Sequence, residues 1–131
     1  MQLLTDELRA SLPALYAQEN EKDPMVHIKF FSPFSNWTWF VTEGSQEEDD
    51  FIFFGYVIGF EKEWGYFSLN ELQSTRVQGV PAVERDLHFT PKRHPGDELT
   101  GYGKMHAPFQ EGRHFPTLLT HSADVLRYGH Y

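Results

Sequence analysis

The sequence predicts an α+β fold: a twisted antiparallel sheet of four to six strands, an N-terminal helix packed on one face, and a largely irregular C-terminal extension. Two observations predict it. Fourteen of the 21 aromatic residues lie between Phe30 and Phe67, and aromatic side chains favour pleated strands. A segment with helical spacing of leucines precedes this aromatic region, and a capping-box pattern at Ser68 begins a second helical segment after it.

The length of 131 residues fits one domain, which we divide into a core over residues 3–89 and an extension over residues 90–131 that wraps the core. The absence of cysteine excludes disulfides, thiolate metal sites and cysteine nucleophiles. The first residues do not resemble a signal peptide, and no apolar run is long enough to span a membrane. We therefore expect a cytoplasmic protein.

The opening helix is predicted over Leu3–Ala17. Thr5 is a suitable N-cap, because its hydroxyl can accept a bond from an amide of the first turn. Pro13 cannot occupy a helix interior without breaking it, so we expect a short helix followed by a separate turn. A second helix is predicted from Ser68 to Thr75, where Ser68 and Glu71 match a capping box.

The predicted strands are Met25–Phe31, Trp37–Thr42, Phe51–Phe60, Trp64–Ser68 and Arg85–Phe89, with residues 44–50 as a hairpin loop. Side chains alternate along a strand, so Trp39 and Phe40 belong to opposite faces. Both faces of the sheet therefore carry rings, and both are expected to be covered. Gly55 and Gly59 predict a bulge or a close approach of another element.

The net charge of −8 is concentrated at the start of the chain, since residues 1–50 hold ten acids and three bases. Residues 90–131 hold four acids, five bases and five of the seven histidines. Nucleic-acid binding requires a basic surface. Most of this chain would repel phosphate, so we do not expect a nucleic-acid partner.

Four segments together resemble one known family. They read LLTDELRASLP, KFFSPFSNWTWFVTE, FFGYVIGFEKEWGYFSLNEL and VERDLHF, and they span about residues 3–89. This succession resembles domain-of-unknown-function family 2958, whose members are small bacterial or phage proteins, often encoded on plasmids and other mobile elements. The resemblance implies an accessory factor of mobile DNA. It implies no catalytic residue.

An acidic run supplies the candidate partner-binding residues, which are Glu43, Glu47, Glu48, Asp49 and Asp50. Such a run could imitate DNA phosphates and engage a basic site on another protein. It could also bind a divalent cation, although it lacks the spacing of an EF-hand loop. The third interpretation is a solvated loop that keeps a sheet edge soluble.

Two further clusters suggest a metal-dependent enzyme as the alternative. They are the extension histidines His94, His106 and His114, and the residues Glu84, Asp86 and His88, which would share one face of the last strand. None has the spacing of a known metal or catalytic site. We favour scattered surface histidines and a polar strand face, and we predict no catalytic residue, metal or cofactor.

The rings themselves have two interpretations. Trp37, Trp39, Phe53, Tyr56, Trp64 and Tyr66 either form the core or stack on the bases of single-stranded nucleic acid. We favour the core, because stacking surfaces have basic neighbours and these neighbours are acidic. The function expected from sequence is an acidic accessory or inhibitory protein that binds another protein. Exposed sheet edges are also compatible with a homodimer.

Overall fold

The computed structural model describes residues 1–93, and the predictions for the rest of the extension, including its histidines, lie outside this range. The elements are α1 (Asp6–Ser11), β1 (Ile28–Phe31), β2 (Thr38–Glu47), β3 (Asp50–Ile58), β4 (Lys62–Ser68), α2 (Leu69–Ser74), β5 (Arg76–Val77), β6 (Val80–Pro81) and β7 (Glu84–Arg85). None of the helices in residues 1–93 is both long enough and apolar enough to cross a membrane.

One five-stranded sheet organises the described residues. Its order is β4-β3-β2-β1-β7, and every neighbouring pair is antiparallel. The predicted α+β class with four to six antiparallel strands is confirmed. A separate ribbon pairs β5 with β6 through the turn Gln78–Gly79.

The first face of the sheet carries the larger core. Trp37, Trp39 and Val41 lie on it together, as their alternation predicts. The N-terminal leucines and the leucines of α2 pack over these rings; they are Leu3, Leu4, Leu12, Leu69 and Leu72. Burying each large apolar side chain contributes about 1.5–3 kcal/mol, so this layer is a main source of stability.

The second face also buries aromatic residues. Phe40 and Tyr56 form one cluster there, and Phe54 and Tyr66 form another. The expectation that both faces are covered is confirmed, since all four side chains are buried. The sheet is therefore the middle layer of the molecule.

The helix α1 lies within the predicted segment Leu3–Ala17. Thr5 caps it as expected, because its Oγ1 accepts a bond of 3.1 Å from the amide of Leu8. The helix ends at Ser11 and turns follow over residues 15–20, which confirms the short helix and separate turn expected from Pro13.

Gly55 of β3 lies opposite Val41 of β2. A Cβ placed on it would lie 1.8 Å from the carbonyl oxygen of Phe40, and the register of the two strands shifts just beyond, between Val41 and Glu43. Gly59 packs against the indole of Trp37. Both glycines thus mark close approaches, as their positions predict.

The segment 44–50 is not a loop, which corrects the sequence prediction. β2 runs on through Glu47 and β3 begins at Asp50, so only Glu48 and Asp49 form the turn. Ladder pairs such as Gln46 with Phe51 hold polar residues of low strand propensity in an extended conformation. Glu47, Glu48, Asp49 and Asp50 therefore form the tip of a hairpin.

Candidate functional site

The hairpin tip of β2 and β3, formed by residues 47–50, carries the exposed part of the acidic run. Glu47 pairs with Asp50, and the chain reverses through Glu48 and Asp49. Glu47, Glu48 and Asp49 are exposed, whereas Asp50 is half-buried. Glu48 has a φ of 53°, a left-handed conformation that glycine adopts more easily than glutamate. Three carboxylates thus project from one tight turn.

Asp50 fixes the hairpin tip to the start of α2. Its Oδ1 accepts bonds from the amides of Phe51 at 2.7 Å and Asn70 at 3.0 Å, and its Oδ2 accepts one from the hydroxyl of Ser68. Asn70 Nδ2 in turn donates to the carbonyl of Asp49 at 3.0 Å. The carboxylate of Asp50 is therefore engaged within the molecule.

The capping box predicted at α2 forms only in part. Ser68 Oγ accepts from the amide of Glu71 at 3.2 Å, as expected. Glu71 Oε2 is buried and, among the described residues, has no hydrogen-bond partner. The hydroxyl of Ser68 also donates a hydrogen bond to Oδ2 of Asp50, which links the cap of α2 to the hairpin tip.

Arg9 of α1 supports the base of the hairpin. Its Nη1 donates to Oε1 of Gln46 at 2.8 Å, and its guanidinium lies 4.8 Å from the ring centroid of Phe51. This contact joins α1 to the hairpin at the pair Gln46–Phe51, next to the closing pair Glu47–Asp50. The hairpin is therefore held by Arg9 at this pair and by the start of α2 at Asp50.

Glu43 does not belong to the exposed surface, which corrects its place among the predicted partner-binding residues. It is 1% exposed. Its Oε1 accepts from the amide of Tyr16 at 2.7 Å and its Oε2 from the amide of Gln18 at 2.8 Å. The buried carboxylate accepts from two backbone amides of the segment after α1, so its role is to anchor that segment.

Gln18 completes this anchor. Its Nε2 donates to the carbonyls of Met25 at 2.9 Å and Thr42 at 2.8 Å, and its Oε1 accepts from the amide of Met25 at 2.8 Å. No local sequence pattern indicates these bonds, because the partners Met25 and Thr42 lie 7 and 24 positions away.

The polar residues around β7 do not form the predicted face. β7 contains only Glu84 and Arg85, and the chain turns at Asp86, so the alternation does not reach His88. Asp86 Oδ2 lies 3.6 Å from Lys29 Nζ, and its Oδ1 accepts from the amide of His88 at 2.9 Å. Within residues 1–93 no group of histidines and carboxylates could hold a metal ion.

The rings do not form an open stacking surface. Trp37, Trp39, Phe53, Tyr56 and Tyr66 are buried, and Trp64 is half-buried. This confirms the core interpretation. Phe60 is the exposed ring of the region at 50%, and it lies edge-on to Trp37 with centroids 5.3 Å apart.

The fold and the hairpin tip define a small α+β protein whose aromatic sheet is interior and whose exposed chemistry on the described residues is largely acidic. The chain belongs to the family described as Protein of unknown function (DUF2958), whose profile matches residues 3–105. The match continues past residue 89, the end of the resemblance recognised in the sequence. Searches of the curated proteins and of the solved structures found no match.

Proposed function

We propose that this protein acts by binding another protein through the hairpin tip, as an accessory or inhibitory factor of a mobile element in the cytoplasm. The observation that carries the proposal is the clamp of Asp50 on α2, which anchors the hairpin tip from which the exposed carboxylates of Glu47, Glu48 and Asp49 project. The membership in a family of unknown function leaves the partner to be identified.

Rigidity is what makes this acidic turn suited to recognition. A flexible acidic loop loses conformational entropy when it binds, whereas a preorganised one loses little. Adjacent carboxylates also raise the rate of encounter with a basic surface and discriminate against acidic ones. The proposed partner surface is therefore rich in arginine and lysine, as in a protein that binds nucleic acid, and the hairpin tip would imitate phosphates there.

The backbone at Glu48 supports the same proposal. A glutamate in a left-handed conformation costs stability compared with glycine, and such strain is concentrated at functional positions. The side chain at this position is therefore better explained by a role in binding than by the requirements of the turn.

The experiment compares three forms of the full chain in a pull-down from host lysate at moderate salt. They are the wild type, a hairpin variant (E47S, E48S, D49S) and a control variant (E19S, E61S, E63S), which removes three exposed acids elsewhere. Asp50 is kept, because its loss would disturb α2. The proposal requires a partner that the wild type and the control capture and the hairpin variant does not.

Affinity for the identified partner should then be measured at increasing ionic strength. Contacts among exposed charges are screened by salt, so binding should weaken steadily as salt is added. Equal capture by the hairpin variant, or affinity that does not change with salt, would contradict the proposal. No observation on the described residues favours a metal-dependent enzyme or single-strand binding, and neither is proposed.

A further inference from the structure

A second candidate site, a cleft, is formed by residues other than those of the hairpin tip. A cleft of about 250 Å³ opens between the start of α1, the residues that lead into β1 and the segment after β7. Its polar lining comes from Thr5, His27, Arg85 and Asp86. This cleft combines apolar side chains with convergent polar groups, as small-molecule sites do.

Arg85 brings a positive charge to this cleft. Its Nη1 donates to the carbonyl of Gln2 and, at 3.0 Å, to the carbonyl of Leu3. Within the part of the chain that the structure describes, no carboxylate pairs with it. The other N–H groups of the guanidinium make no hydrogen bond with any of residues 1–93, and a guanidinium fork matches the two oxygens of a carboxylate.

His27 lies in the same wall. Its backbone amide donates to the carbonyl of Val41 at 2.9 Å, but its ring nitrogens make no hydrogen bond with any of residues 1–93. Burial lowers the pKa of His27, so the imidazole is neutral at neutral pH and offers one donor and one acceptor.

Asp86 is the one carboxylate among the lining residues, and its charge is already offset. Lys29 Nζ lies 3.6 Å from its Oδ2, and the amide of His88 donates to its Oδ1 at 2.9 Å. An incoming anion therefore meets the charge of Arg85 without an opposing free carboxylate. Since Arg85 supplies one positive charge, a single negative charge matches it better than a phosphate dianion.

The remaining walls are apolar. Leu8 and Phe89 are half-buried, and Leu87 is 63% exposed at the mouth of the cleft. These side chains can bury the body of a ligand whose charged end reaches Arg85.

We propose that this cleft binds a small monocarboxylate with an apolar body. The carboxylate pairs with the guanidinium of Arg85 and accepts a hydrogen bond from His27, and the apolar body packs between Leu8, Leu87 and Phe89. The site is separate from the hairpin tip and does not depend on the function proposed above.

The test uses amide NMR of the full chain with two probes of the same shape, phenylacetate and phenylacetamide. Millimolar phenylacetate should shift the resonances of His27, Arg85 and Leu87 in a saturable manner. Phenylacetamide, which lacks the charge, should bind at least tenfold more weakly, because charge-assisted bonds to arginine are the stronger ones. Equal binding of the two probes, or shifts confined to other residues, would overturn the proposal.

Leu87 provides variants that leave the core intact, because its side chain is exposed. Leu87→Glu places a negative charge at the mouth and should weaken phenylacetate binding about three- to tenfold relative to Leu87→Gln. Arg85→Lys keeps the positive charge but loses the planar guanidinium, and it should weaken phenylacetate binding as well. Unchanged binding in Leu87→Glu and Arg85→Lys, with both folded, would contradict the assignment.

A peptide C-terminus carries the same chemistry as a small acid. A tripeptide ending in a free phenylalanine carboxylate, compared with its C-terminal amide, distinguishes the two sources. Binding of the peptide acid weaker than that of phenylacetate supports the small molecule, and tighter binding overturns that choice. The hairpin variant (E47S, E48S, D49S) should bind phenylacetate as the wild type does, so this experiment can succeed or fail independently of the proposed function.

Discussion

The backbone amide of Tyr16 donates a hydrogen bond of 2.7 Å to Oε1 of Glu43, which lies 27 positions further along the chain. The second oxygen of the same carboxylate accepts from Gln18. One buried side chain thus replaces the backbone partners that the segment after α1 lacks, and it joins this segment to the centre of the sheet.

Glu43→Gln should destabilise the protein by about 1–3 kcal/mol, because the amide offers one acceptor where two are needed and leaves a buried backbone N–H unsatisfied. The measurement is urea unfolding followed by tryptophan fluorescence. Glu47→Gln, at an exposed position of the same strand, is the control and should change stability by less than about 0.5 kcal/mol. Equal effects of the two changes would show that the bonds to Glu43 contribute little.

Glu48→Gly should stabilise the protein by about 0.5–1 kcal/mol, because glycine adopts the φ of 53° without steric cost. Asp49→Gly is the matched control. Asp49 does not have a positive φ, so glycine there should only add freedom to the unfolded chain and lower stability. Thermal unfolding of the two variants gives the comparison, and a stabilised Asp49→Gly with an unchanged Glu48→Gly would refute the account of strain.

Gly55→Ala should cost about 3 kcal/mol or more, since the new Cβ would lie 1.8 Å from the carbonyl oxygen of Phe40 and the strands would have to separate. Gly79→Ala is the comparison, because nothing lies within 4 Å of its Cβ position and only its φ of 80° opposes the change. We expect Gly79→Ala to be clearly milder, at about 1 kcal/mol. Denaturant midpoints of both variants test this ranking.

The protein should lose stability as the pH falls below about 6.5, the ordinary pKa of histidine. Burial lowers the pKa of His27 in the folded state, so the unfolded chain is protonated first as the pH falls. Protonation stabilises the unfolded state relative to the native state, and the free energy of unfolding decreases. The loss is complete once the folded imidazole is protonated too. His27→Gln should flatten this part of the stability curve, measured by urea unfolding between neutral and mildly acidic pH. An identical slope in the variant would exclude His27 as a cause.

Short sequence patterns correctly predicted the helix caps and the alternation of side chains along β2, because both depend on residues close together in the chain. The caps at Thr5 and Ser68 follow from short side chains placed before helical turns, and both form. The opposite faces of Trp39 and Phe40 follow from strand alternation, and the two rings lie in separate clusters. These features depend on neighbours within a few positions, so the sequence alone contains them.

Features that depend on distant partners were missed. Glu43 was taken for a surface acid because its partners lie 25 to 27 positions away. The extension of β2 through the acidic run depends on pairing with β3, which overrides the weak strand propensity of Gln46 and Glu47. The cleft around His27 and Arg85 was not anticipated, because its residues come from three separate segments.

The order of the strands has a consequence for how the sheet is assembled. β1 to β4 follow one another both along the chain and across the sheet, so each can join the strand made just before it. β7 must return across the molecule to reach β1, since Arg85 pairs with Phe30. Closing this long loop has a larger entropic cost than forming the hairpins. The β1–β7 seam is therefore expected to form last during folding, and amide exchange should find it opening well before the central hairpin.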